Sequence, residues 1–343
     1  MLQASNMKKV LKVCLIILVF VIGIFSFSGV KAQAKKSVND FQVKPVLAAN
    51  NNPQASYFDL KVKPDTKQTL RLQIINNSSK RQQFNILPNN ATTNENGVID
   101  YSVHAKKDAS ATTSFTDMLG DQTGKQIWVA GKSRSVVSFK LAVPKQSFEG
   151  TVLGGFIVYS ASAANQAKKS GQNSNLAHYA VAARLIESTQ KVTPDLLYKG
   201  TKYVGNNGLP RIQVNLQNNQ PTIIGTVHLK ATVTGEGDKT VAKVNQKMLN
   251  FAPNSSFGYQ MPTLNGKALK SGQYRLKMTV KADNGSWKFD RLFTVTDKDG
   301  KAAKIAKPGI NWKQIIMWII EGLAVLIVLG YIINKFRKWM KKD

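Results

Sequence analysis

His104, His178 and His228 are the only imidazoles in the 343-residue chain, and they lie far apart. None stands within four residues of another histidine or of a cysteine, so no local zinc pattern exists. The chain carries no G-x-S-x-G, no phosphate-cradling glycine loop and no H-E-x-x-H. Carboxylates are few. Asp59 and Asp65 are the pair nearest to a glycoside-hydrolase arrangement, which needs two carboxyl groups converging on one bond. The plainer reading makes them surface charges on strands. Asn94, Glu95, Asn96 and Asp100 in "TNENGVIDY" lack the regular spacing of a calcium loop and read as a turn. The expectation is a non-enzymatic protein with no metal and no cofactor.

Two other stretches have composition that demands a reason. "EGTVLGGFIVY" (149–159) places Gly154 and Gly155 inside an apolar strand, which marks a bulge, tight packing against a neighbouring strand, or a flat face for an extended ligand. "MLNFAPNSSFGYQMP" (248–262) wraps Phe251, Phe257 and Tyr259 around a Pro-Asn-Ser-Ser turn. By strand parity Leu249, Phe251, Phe257 and Tyr259 fill a core, making the stretch a structural corner. The competing reading is a recognition surface.

The elements around these stretches are strands. Phe58, Leu60 and Val62 alternate with polar residues, as do Leu70, Leu72 and Ile74, and Val137, Phe139, Leu141 and Val143. The pattern returns in Ile212, Val214 and Leu216, in Val227, Leu229, Ala231 and Val233, and in Tyr274, Leu276, Met278 and Val280. Asn284-Gly285 is a hairpin signal. This predicts an all-β ectodomain of two immunoglobulin-like antiparallel β-sandwich domains, 38–160 and 176–300, joined by a linker or exposed loop at 161–175. A loose repetition supports shared architecture: "LQIINNSS" and "VNLQNNQP" each run a strand into Asn-Asn.

Both ends carry membrane signals. Lys8, Lys9 and Lys12, the apolar 13–27 and Ala32-Gln33-Ala34 make 1–34 a secretory signal peptide. Residues 315–333 are apolar and long enough for a transmembrane helix, with Glu321 inside the span. A juxtamembrane linker, 301–314, precedes it, and a basic tail, 334–343, follows. No LPxTG-like motif stands before the span. The expectation is a single-pass membrane protein with its body outside and its tail in the cytoplasm. Cys14, the one cysteine, sits in the signal, so the body must fold without disulfides. Of the formal net charge of +29, 22 charges fall in 35–314, dispersed without the dense blocks of a nucleic-acid arm. Such a field suits anionic polymer surroundings.

The order of signal peptide, "YFDLKVKPDTKQTLRLQIINNSS", "TNENGVIDY", "FEGTVLGGFIVY", "NFAPNSSFGYQMP", "LKSGQYRLKM" and terminal helix resembles the WxL-interacting protein family of Gram-positive bacteria. The resemblance implies a peptidoglycan-binding first domain and a second domain that binds WxL-type or host surface proteins. None of Trp128, Trp287, Trp312, Trp318 or Trp339 begins a Trp-x-Leu triplet, so the chain looks like the anchored partner and not the WxL protein. Gly150, Gly154 and Gly155 form the candidate wall-binding strand. Asn254, Ser255, Phe257 and Tyr259 are the candidate partner-binding residues. Two alternatives stay open: a wall- or polysaccharide-active hydrolase, and a membrane-tethered assembly factor for surface proteins.

Overall fold

Alternating burial is the rule that builds the chain. In β3 (Lys67–Asn76), Leu70, Leu72 and Ile74 are buried while Arg71 between them is exposed. The computed structural model describes residues 40–162, 164–165, 178–206 and 209–299, with positions 316, 317, 319, 320, 322, 330, 331 and 334. The expected signal peptide, 1–34, lies outside the described residues, as do most of 161–175, all of 301–314 and most of 315–343. Among the described residues no helix is long and apolar enough to cross a membrane.

The chain divides into two compact units that are not contiguous in sequence. The first comprises residues up to Asn89, Phe115–Ser147 and Gly154–Leu185; the second comprises Asn90–Ser114, Phe148–Leu153 and the chain from Ile186.

In the first unit, β1 (Phe41–Val46), β3 and β8 (Ser133–Ala142) form an antiparallel three-stranded sheet in the order β1-β3-β8. A second sheet contains β2 (Phe58–Lys61), β4 (Gln82–Asn90), β7 (Lys125–Val129), β9 (Val152–Ser160) and β10 (Tyr179–Ile186), in the order β2-β10-β9-β4-β7. Aromatic pairs join the sheets across the core: Phe41 meets Phe84 at 4.9 Å between ring centroids, and Phe139 meets Phe156 at 4.8 Å.

The second unit repeats this plan. β11 (Leu196–Asn206), β12 (Leu209–Asn218) and β15 (Ser255–Pro262) make the sheet β11-β12-β15. β13 (Ile224–Thr234), β14 (Thr240–Phe251), β16 (Gly272–Ala282) and β17 (Gly285–Val295) make the sheet β14-β13-β16-β17. The order β7-β4-β9-β10 in the first unit has the same succession as β14-β13-β16-β17, with β2 as an extra edge strand. One continuous apolar cluster, including Ile212, Val214, Leu229, Phe251, Tyr259 and Leu276, fills the second sandwich.

Each unit turns on one buried asparagine at the end of its central strand, and both are fully buried. In the first, Asn76 Nδ2 donates to the carbonyls of Lys80 (2.8 Å), Val129 (3.0 Å) and Ala130 (3.1 Å), while its Oδ1 accepts from the Ser78 amide (3.0 Å). In the second, Asn218 Nδ2 donates to Thr222 (2.7 Å) and Ala252 (2.9 Å), and its Oδ1 accepts from the Gln220 amide (3.3 Å). The facing turns, each joining a strand of one sheet to a strand of the other, correspond residue by residue. Asn76 pairs with Ser133 and Asn218 with Ser255. Before each serine stands a residue with positive φ, Lys132 (55°) or Asn254 (44°). Its amide donates to the carbonyl two places after the asparagine, from Lys132 to Ser78 (2.8 Å) and from Asn254 to Gln220 (3.0 Å). "NNSS" with "AGKS" and "NNQP" with "APNS" are thus one corner built twice.

The carboxamide supplies both donor and acceptor, and its loss strands buried carbonyls at a cost of about 1–3 kcal/mol. Asn218→Asp removes the donor and adds a buried charge, so it is expected to destabilise more than Asn218→Ala. Urea denaturation of the two variants checks the order; an Asp variant as stable as wild type would contradict the corner's role.

Candidate functional site

One excursion of the chain, residues 90–114, brings further polar groups to the second corner and belongs to the second unit. It opens with a small hairpin, β5 (Thr92–Thr93) and β6 (Ile99–Asp100). Asn94 shapes the turn, its Oδ1 accepting from the amides of Asn96 (3.0 Å) and Val98 (3.2 Å). This is the turn expected from "TNENGVIDY". Its Gly97 has φ 76°, and a Cβ there would lie 3.1 Å from Leu249 and 3.3 Å from Phe251. The backbone binds at both sides of the tip: Asn250 N–H donates to Gly97 O (3.1 Å) and Gln260 N–H to Glu95 O (2.8 Å).

Ser255 ties the hairpin to the corner. Its Oγ accepts from the Thr93 amide at 3.0 Å, and the Thr93 hydroxyl accepts from the Ala252 amide at 2.9 Å. Asn254 Nδ2 donates to Ser110 Oγ (3.0 Å) and to Asn219 O (3.3 Å). Asp108 is the hub beyond it. Its Oδ1 accepts from the Ser110 amide (3.0 Å), Ser110 Oγ (2.8 Å) and Gln217 Nε2 (2.8 Å), and its Oδ2 from Ser256 Oγ (2.6 Å). Burial opposes ionisation of this carboxyl, but the hydrogen bonds from Ser256, Ser110 and Gln217 outweigh it and hold its pKa below the usual value. Beside this network lies a solvent-open polar cleft lined among others by Lys106, Lys107, Thr151 and Asn254.

The four candidate partner-binding residues are brought together here, but they face the chain itself. Ser255, Phe257 and Tyr259 are buried, and Asn254 is half-buried. Phe257 packs on Phe251 at 4.8 Å, and burial pushes the Tyr259 phenol up to about 12. The parity assignment of Leu249, Phe251, Phe257 and Tyr259 to the core agrees with their burial.

The three candidate wall-binding glycines are likewise enclosed, for two separate reasons. The nearest neighbour of Gly154 is the ring of Phe115, from the short helix α1 (Phe115–Leu119), and a Cβ would fall 2.3 Å from that ring. Gly150 has φ 67°, and a Cβ there would lie 2.1 Å from the Pro221 carbonyl. Gly155 is buried in β9. Asp59 does not stand free as a surface charge: it is buried, paired with Arg184 at 3.0 Å and bonded by Asn52 Nδ2 at 2.9 Å. Of the histidines, His228 meets Asn245 Oδ1 at 2.6 Å. Among the described residues no group of three His, Cys, Asp or Glu side chains is arranged to hold a metal. The sequence does not mark Asp108 and Thr93 as a joint, because Gln217 and Ser256 lie more than a hundred residues from Asp108, and Ala252 and Ser255 more than a hundred from Thr93. The Ala-x-x-Ser shared by 130–133 and 252–255 was the available signal for the corners.

This is an all-β protein built from two like-ordered sheet pairs. Residues 41–160 match the WxL Interacting Protein, peptidoglycan binding domain, and residues 168–305 match the WxL Interacting Protein, host binding domain. The chain belongs to the WxL-interacting protein family. No curated protein sequence matches it. Among solved structures, a chain from a chaperone–tip adhesin complex of CFA/I fimbriae biogenesis shares 13% identity, covering 74% of this chain and 98% of that one, with a TM-score of 0.27. The CupB2 chaperone of Pseudomonas aeruginosa shares 10%, over 66% and 91%, with a TM-score of 0.25. The E. coli chaperone DraB shares 11%, over 75% and 95%, with a TM-score of 0.25.

Two outcomes follow. A carboxyl whose folded pKa is depressed stabilises above its unfolded value and loses that contribution as pH falls through the folded one. Thermal melts of wild type from about pH 6 to about pH 3 should therefore fall more steeply than those of Asp108→Asn; parallel curves would contradict the hub. Gly154→Ala is expected to destabilise by about 1–3 kcal/mol through overpacking, and by less in a Phe115→Ala background. Equal losses in both backgrounds would contradict the contact.

Proposed function

We propose that the chain is a non-enzymatic, membrane-anchored scaffold of the Gram-positive cell surface. Its first half holds peptidoglycan and its second half a WxL-type or host surface protein. The observation that carries this reading is the pair of consecutive binding-domain matches, 41–160 and 168–305. Anchoring rests on the apolar 315–333, where Ile316, Met317, Ile319 and Ile320 stand exposed at helical positions. The same reading places 1–34 as a cleaved signal and 334–343 in the cytoplasm.

Electrostatics supports an anionic surrounding. Cross-strand register gathers cations on the solvent face of β14-β13-β16-β17. Lys230 lies across from Thr279, and Thr279 across from Lys288; Thr232 lies between Lys243 and Lys277. Lys230, Lys243, Arg275, Lys277, Lys281 and Lys288 are all exposed. Among these strands' residues on that face the acid is Asp290, which Arg275 grips with two bonds of 2.6 and 2.8 Å. Like charges gathered on one face repel one another, and an anionic partner relieves that repulsion.

Purified full-length protein is expected to sediment with sacculi carrying their anionic polymers. Retention should weaken as salt rises. Absence of retention even at low salt would remove the wall-binding half of the proposal.

A further inference from the structure

A large aromatic side chain of the first unit stands mostly in water. Trp128 on β7 is 54% exposed. Leaving an indole in solvent forgoes the burial that aromatic side chains ordinarily supply to a core. β7 pairs with β4 in a register that sets Gln83 opposite Trp128 and Asn85 opposite Gln126. These four residues share the outer face of the sheet, because Phe84, Ile86 and Val129, next to them in sequence, are buried in the core.

The face is organised, and its exposed part lies on β7: Gln126 and Trp128 are exposed, Gln83 is half-buried and Asn85 is buried. Arg81 holds its guanidinium 4.9 Å from the centroid of the Trp128 ring. The amides form a ladder: Gln83 Nε2 donates to Gln126 Oε1 (3.2 Å), and Gln126 Nε2 donates to Asn85 Oδ1 (2.8 Å). The ladder uses one hydrogen of each donating amide and fixes the orientation of the next. Gln126 is itself exposed, so its amide can meet a ligand lying beside the indole.

We infer that Trp128, with Gln126, Gln83 and Arg81 around it, is a docking platform for the glycan strand of peptidoglycan. A pyranose ring presents apolar C–H groups with slight positive charge, which pack against the negative face of an indole. Its hydroxyl and N-acetyl groups need neutral donors and acceptors of the kind that an amide row supplies. Trp128 and Gln126, two residues apart on one strand, are separated by about 7 Å, within reach of a single disaccharide. β7 is an edge strand of its sheet, which leaves a long polymer free to run past it. The platform lies within the 41–160 peptidoglycan-binding match, so the inference rests on the wall-binding reading proposed above.

The test measures retention of full-length protein on purified sacculi, and its binding to glycan strands freed of stem peptides and to stem peptides alone. Trp128→Ala is expected to weaken retention about tenfold, the effect of truncating an aromatic anchor. Trp128→Phe should keep most of it, and Gln83→Ala/Gln126→Ala should lose part of it with the melting temperature unchanged. Wild type should bind the freed glycan strands. If wild type is retained and Trp128→Ala is retained equally, the platform is overturned and wall binding stands. Binding of stem peptides but not of glycan strands would also overturn it. If wild type is not retained at all, the wall-binding reading fails and the platform falls with it.

Discussion

A buried carboxamide at the end of the central strand is what the rest of each unit hangs on. Asn76 and Asn218 each close the turn that follows their own strand and bind the sheet-crossing turn beside it. Without disulfides in the body, the sheets have no covalent tie, and each corner is set by hydrogen bonds made where water does not compete. A carboxamide offers two donor hydrogens and an acceptor on one neutral planar group, and the shorter stem of asparagine suits a residue in register with the facing serine. In the second unit this corner does more: Asn254 and Ser255 turn their polar atoms to residues 90–114 and seat that excursion.

Much of the fold was legible because alternation is a local signal. Leu70-x-Leu72-x-Ile74 and Val227-x-Leu229-x-Ala231-x-Val233 are buried as their spacing requires. The Asn-Asn repetition was visible too, although its meaning was not. Two equal letters do not reveal that a side chain reaches a carbonyl 53 residues away, as Asn76 does to Val129. Gly154 was recognised as a place of close approach, but its neighbour was taken for a strand. Phe115 lies 39 positions earlier in a helix of five residues, too short for any helical period to register. The same limit hid the docking of "TNENGVIDY" on the second sandwich, since pairing between Thr93 and Ser255 leaves no mark on either segment alone.

These findings move the functional weight away from the glycines and the Ala-Pro-Asn-Ser segment. Both are places where the chain meets itself. What is left facing solvent differs between the halves in chemistry: an indole with amides on the sheet of the first, and a grid of lysines on the sheet of the second. The first suits a neutral sugar polymer, and the second an anionic surface. A scaffold that holds wall on one unit and protein on the other needs such a division.

The most direct test of that division is photo-crosslinking in intact cells, with one photoreactive residue placed at Gln126 and, separately, one at Lys277. The account predicts that the probe at Gln126 captures muropeptide fragments and the probe at Lys277 captures a surface protein. Capture of the same protein by both probes, with no muropeptide at Gln126, would contradict it.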